Sequence, residues 1–194
     1  MTLRDVDLGV CAGRVWEGDP ARVAVVFPGA LELSAASWYA PLVAVLHRGW
    51  TAVAYRDEFT DRSIEPAPWV RERAEAALRH AGSPSKTMVL SKSLGTFAAE
   101  LAAERSLPAI WLTPLLTVPG VADALRARTA PALLVGGTAD AMWDGAVARS
   151  ISDDVLEFDG ADHAFLDGDL DPRTYLATMI RIVERVDAFV DRID

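Results

Sequence analysis

An α/β architecture is what this chain predicts: a three-layer α/β/α sandwich around a mostly parallel central sheet. Two observations carry that expectation. Short apolar runs alternate with longer amphipathic segments along all 194 residues, the pattern of strands covered by helices. The chain also shows no internal repeat and no low-complexity segment. Its 51% hydrophobic and 24% charged residues suit one globular domain, residues 1–194, with a substantial core.

In chain order, Val10 to Trp16 reads as an opening strand at the sheet edge. Arg22 to Phe27 (Arg-Val-Ala-Val-Val-Phe) reads as a buried strand, ended by Pro28-Gly29. Ser34 to His47 is predicted helical because Trp38, Leu42, Val43, Val45 and Leu46 follow the helical period. Trp50 to Tyr55 is the next strand, and Trp69 to His80 a helix with a charged face that Gly82 stops. Thr87 to Leu90 is the central strand and Leu94 to Glu104 the helix after it. Pro108 to Leu112 gives a strand, Val121 to Arg128 a short helix, and Pro131 to Val135 a strand followed by a loop at Gly136-Gly137-Thr138. Ala146 to Ile151 is a short helix, Val155 to Phe158 the last strand, and Pro172 to Val190 the closing helix.

Charge excludes some functions. Nineteen basic against 28 acidic residues give a net −9, which argues against a nucleic-acid surface and against anionic membranes. The single cysteine, Cys11, has no internal disulfide partner, so nothing indicates an oxidising compartment; it reads as a small apolar residue. The first residues lack a signal-peptide apolar stretch, and no apolar segment approaches the ~20 residues that span a bilayer. The expectation is a cytoplasmic protein. No metal-ligand cluster, phosphate loop or dinucleotide fingerprint is present, so no cofactor is expected. The sequence leaves the oligomeric state open.

The chemistry points to the stretch from Thr87 to Ala99. The apolar run Thr87-Met88-Val89-Leu90 ends at Ser91-Lys92-Ser93-Leu94-Gly95, and a helix-forming segment starts at once. A strand that turns directly into a helix leaves no room for large side chains beside the turn, so Ser91 and Gly95 flank Ser93. Such a turn strains its central residue and lifts the Ser93 hydroxyl above the sheet. In open parallel sheets, ligands gather at the carboxyl ends of the strands. Asp140 follows the strand Pro131–Val135, and His163 follows Val155–Phe158.

The order Ser93, Asp140, His163 resembles that of the α/β-hydrolase superfamily. The matching pieces are Phe27-Pro28-Gly29-Ala30, Ser91-Lys92-Ser93-Leu94-Gly95, Gly136-Gly137-Thr138-Ala139-Asp140 and Gly160-Ala161-Asp162-His163-Ala164-Phe165. The resemblance covers the chain from Arg22 onward. It departs from the family pattern at Ser91, where the elbow usually begins with glycine, and at Pro28, where histidine often precedes the loop glycine. It implies a catalytic triad, with Ser93 as nucleophile, His163 as its base and Asp140 orienting the imidazole. It implies an oxyanion hole from the backbone N–H groups of Leu94 and Ala30, with Leu31 as second choice for the latter; Pro28 has no N–H to offer. Many family members insert a lid where this chain has only Thr113 to Gly120, so the resemblance implies an open cleft with no cap domain.

Plainer roles stand beside these. Ser93 could be a helix N-cap, Asp140 a loop or cap aspartate with Asp144 as its competitor, and His163 a surface residue. Ser91 is the other candidate nucleophile, although Ser93 rather than glycine stands two residues on. A Ser–Lys mechanism through Lys92 is disfavoured because the elbow directs that side chain away. His47 and His80 read as helix C-terminal residues. Leu31, Trp38, Leu115, Trp143 and Phe165 are candidate apolar pocket walls, with core packing an equal explanation for Trp38. Arg56 could meet an acidic or polar substrate group, with a salt bridge to Asp57, Glu58 or Asp61 the favoured role. The expected function is a serine hydrolase cleaving a small carboxylic ester, thioester or lactone through an acyl-serine. The alternatives are acyl transfer by the same triad and a non-catalytic ligand-binding module.

Overall fold

The structure, a computed structural model, describes residues 2–31 and 36–194. Its strands are β1 (Leu3–Asp7), β2 (Ala12–Trp16), β3 (Asp19–Phe27), β4 (Trp50–Arg56), β5 (Lys86–Lys92), β6 (Ala109–Leu112), β7 (Ala132–Gly137) and β8 (Val155–Phe158). Its α-helices are α1 (Tyr39–His47), α2 (Pro66–Ala81), α3 (Ala99–Glu104), α4 (Val121–Arg126), α5 (Gly145–Ile151) and α6 (Pro172–Ile193). Short 3₁₀ segments, Ala36–Trp38 and Ser93–Ala98, lead into α1 and α3.

The strands form one sheet in the order β1-β2-β4-β3-β5-β6-β7-β8. Only the β1–β2 and β2–β4 pairings are antiparallel. The remaining pairs are parallel, as the alternation of apolar and amphipathic segments predicts. From β3 the chain moves to β4 on one side; from β5 it moves to β6 on the other. The direction of winding therefore switches between β3 and β5, and their carboxyl ends open the crevice where such sheets bind ligands. Phe27 pairs with Ser91 at that point, which sets the loop after β3 beside the turn after β5.

Successive strand side chains serve opposite layers. Val23, Val25 and Phe27 face the core under α2 to α5, while Ala24 and Val26 face the core under α1 and α6. The second core holds Trp38, Leu42, Ile182, Val186 and Phe189, all almost without solvent exposure. Eight residues, 113–120, connect β6 to α4, and no cap domain is inserted there.

Several boundaries differ from the sequence reading. The opening segment is a hairpin, not one strand: Gly9, with φ 85°, turns the chain, and its N–H donates to the Asp7 carboxylate at 2.7 Å. β1 rather than β2 is the edge, and it carries no apolar alternation because nearly all of its side chains face solvent. Ser34 lies outside the described residues, and α1 begins at Tyr39. The glycines 136 and 137 belong to β7, not to the loop after it. Arg56 pairs with Asp5 on β1 at 3.3 Å; Asp57 instead takes Arg73 at 2.7 Å. No helix among the described residues is long and apolar enough to cross a membrane.

Candidate active site

The turn after β5 crowds small groups around one serine. Ser93 has φ 51°, a left-handed conformation that costs a non-glycine residue about 1–3 kcal/mol. Gly95 has to be glycine: a Cβ there would lie 2.3 Å from the Phe27 carbonyl oxygen and 2.6 Å from the Ser91 hydroxyl. Ser91 is fully buried, and among the described residues its hydroxyl has no hydrogen-bond partner, so it serves as the small neighbour of the turn. On the other side, a Cβ at Gly29 would stand 3.4 Å from that of Ser93, which brings the loop after β3 against the hydroxyl.

The loops after β7 and β8 are laced together. Thr138 N–H donates to the Phe158 carbonyl and Ala139 N–H to the Ala161 carbonyl, both at 3.0 Å. A side chain at Gly137 would strike the Ala161 carbonyl. The Asp162 carboxylate accepts from the N–H groups of Ala164 and Leu166, at 2.8 and 2.9 Å, and so closes the turn that presents His163. Phe165, with φ 64° and almost fully buried, anchors that turn edge-on against Phe158.

These constraints bring three side chains into line. His163 Nε2 lies 2.8 Å from Ser93 Oγ, and His163 Nδ1 lies 2.7 Å from Asp140 Oδ2. A carboxylate can only accept, so Nδ1 carries the proton and Nε2 is left to accept from the serine. Asp140 Oδ1 accepts from Met142 N–H at 2.9 Å. Burial pushes the Asp140 carboxyl up, but the bonds from His163 and Met142, with the nearby charge of Lys92, hold it below its ordinary value. The Asp140 side chain is 2% exposed and that of His163 40%, so the carboxylate is sealed while the imidazole stays reachable.

No family model matches the chain, and no curated protein sequence is similar enough to match it. Solved structures are similar over nearly its full length. A serine hydrolase homologue from Coxiella burnetii shares 18% identity over 96% of each chain, with a TM-score of 0.70. Est1E from Butyrivibrio proteoclasticus, solved with ferulic acid bound, shares 14% over 98% of each chain at 0.71. The esterase domain of a Rhodothermus marinus protein shares 13% over 99% of each at 0.69. The chain has the α/β-hydrolase fold.

Within that α/β-hydrolase fold, two recesses adjoin Ser93 and His163. The smaller, about 220 Å³, is lined by Gly29, Ala30, Leu31, Trp38 and Lys92 as well. The wider, about 420 Å³, is lined by Leu115, Ala139, Asp140, Ala141, Met142 and Asp162. Leu31, Trp38 and Leu115 therefore stand where the sequence places pocket walls. Trp143 and Phe165 line neither recess, and that expectation is corrected. The Trp143 ring lies on Gly136, where any Cβ would overlap it, and its N–H donates to Glu157 at 2.7 Å. Phe165 faces the core under α6.

Lys92 was legible only as a rejected base. Its side chain ends inside the protein and not in solvent. The ammonium donates to Thr113 Oγ1 and to the His163 backbone carbonyl, both at 2.7 Å. Burial pulls the lysine down to about 8, against the opposing attraction of Asp140 and Asp162. A lysine just past the apolar run Met88-Val89-Leu90 and directly before Ser93 was the signal available in the sequence.

Proposed function

We propose that the protein is a serine hydrolase of small carboxylic esters, thioesters or lactones, acting through an acyl-serine. The observation that carries this reading is the hydrogen-bonded line Ser93–His163–Asp140 at 2.8 and 2.7 Å. His163 Nε2 takes the Ser93 proton as the oxygen attacks the acyl carbon, and returns it to the leaving group. Asp140 fixes the tautomer and stabilises the imidazolium that forms. Water then attacks the acyl-serine by the same proton path.

The oxyanion is assigned to the N–H groups of Leu94 and Ala30. Leu94 is the second residue of the 3₁₀ turn Ser93–Ala98, whose first N–H groups have no partner within the helix. Ala30 lines the small recess beside Ser93. Each such donor is worth roughly 2.7–4 kcal/mol in a hydrolase transition state. The small recess suits a short acyl group and the open cleft the leaving group. The nearby esterases of the same fold support the reaction class.

The test is labelling with a fluorophosphonate probe, located by peptide mass spectrometry, alongside hydrolysis of short-chain p-nitrophenyl esters. Adduct on Ser93 and ester turnover are expected. An unlabelled, inert but folded protein would remove the enzyme reading and favour a binding module.

A further inference from the structure

A buried cation without a bonded carboxylate is rare, because taking an ammonium out of water is costly unless a partner offsets it. Among the described residues Lys92 is such a group: 5% exposed, with two neutral oxygens as its hydrogen-bond partners. Its chain position places it between three elements of the site. It directly precedes Ser93, it bonds the residue that follows β6, and it bonds the loop that follows β8. The Phe165 ring lies 5.4 Å from the ammonium, within cation–π range.

Backbone strain gathers around the same point. Five described non-glycine residues have positive φ, and Ser93, Thr113 and Phe165 are three of them. One is the chain neighbour of Lys92, one its hydrogen-bond partner and one its aromatic contact. Strained residues persist where surrounding contacts over-determine them.

We propose that Lys92 is a positioning residue of this site: its ammonium holds the His163 carbonyl against Thr113 and thereby fixes the imidazole beside Ser93. The inference rests on the hydrolase reading above. Lysine suits the task because it is a compact donor of three hydrogen bonds on a flexible stem, whereas the planar arginine fork that supplies 17 of the chain's 19 basic residues would need more room. Charge-assisted hydrogen bonds are about twice as strong as neutral ones, so the clamp loosens when the lysine loses its proton. Among the described residues, the charged and titratable groups facing it are Asp140 after β7 and Asp162 and His163 after β8, and from the β6 side it meets the Thr113 hydroxyl.

The lysine's depressed value gives activity and stability opposite responses to alkali. Between about 8 and about 10.4 the unfolded chain holds a proton that the folded one has released, so stability rises with pH across that range. Activity falls over the same range because the clamp weakens. Cys11 and Tyr55, both raised by burial, act the other way on stability at higher pH, and a comparison of wild type with Lys92→Met cancels them.

The experiment is the pH profile of kcat and KM for p-nitrophenyl acetate from pH 6.5 to 9.5, corrected for spontaneous hydrolysis, with Tm over the same range. The wild type is expected to lose about fivefold in kcat around pH 8, with KM little changed and Tm not falling. Lys92→Met should lose about tenfold to a hundredfold in kcat at pH 7 and show no alkaline limb near 8. Lys92→Gln, which keeps a donor without the charge, should lie between the two. A wild-type kcat that stays level to pH 9.5 overturns the proposal with no variant needed, as does a folded Lys92→Met with wild-type kcat. Absence of turnover at every pH instead removes the hydrolase reading, and the positioning role with it.

Discussion

Strand β5 begins and ends with a lysine, Lys86 and Lys92, and the chain has no other. The two ends of this one strand treat the same side chain differently. Lys86 is 38% exposed and reaches Asp194 at 3.5 Å, one of several ion pairs that ring the amino ends of the strands. Lys92 is buried among strained backbone and neutral oxygens. A charge kept in water beside its counter-ion places few demands on the fold and contributes little to it. A charge taken into the protein has to be held by fixed dipoles, and those dipoles belong to the residues that carry the site. The carboxyl end of the sheet is thus the end where stability is given up for geometry.

The largest break in that comparison should come from Ser93→Ala. Ester hydrolysis should fall at least about 10⁴-fold, while circular dichroism and Tm stay as in wild type or rise, since the substitution removes only a hydroxyl. Turnover equal to wild type would move the nucleophile elsewhere. Asp140→Asn keeps the shape but lets the amide donate toward Nδ1, which favours the wrong imidazole tautomer. A loss of about 10³- to 10⁴-fold is expected, with labelling of Ser93 by the fluorophosphonate slowed in parallel. Gly95→Ala separates geometry from chemistry. Its added methyl has to displace the Phe27 carbonyl or the Ser91 hydroxyl, so urea denaturation should show a loss of about 1–3 kcal/mol, and activity should fall with it. An unfolding free energy within about 0.5 kcal/mol of wild type would mean that the turn has slack the close contacts deny.

The contrast also explains what the sequence could and could not tell. Ser93, Asp140 and His163 were readable because each follows an apolar run that can only be a strand, and parallel strands deliver their carboxyl ends to one rim. Lys92 was not, because its role depends on where a flexible side chain ends after folding, and its partners Thr113 and His163 are 21 and 71 residues away. Trp143 and Phe165 stand on loops at the rim that holds Ser93 and His163 yet point inward, a direction that spacing cannot supply. β1 escaped notice for the opposite reason: an exposed edge strand buries too little to leave a period in the sequence.

The smallest effect is expected at the other end of β5. Lys86→Met removes a cation that faces Asp194 across 3.5 Å of partly solvated surface, and Arg22 remains bonded to the same carboxylate at 2.7 Å. Exposed pairs contribute about 0–1 kcal/mol, and here the arginine keeps the aspartate paired, so denaturation should shift by no more than about 0.5 kcal/mol. What shift there is should shrink further in high salt, because screening acts on exposed charges first. The kcat profile should keep its alkaline limb, since Lys92 is untouched. A Lys86→Met protein that lost that limb would show the two ends of the strand to be electrostatically joined along its length, and the separation of a solvated rim from a functional one would fail.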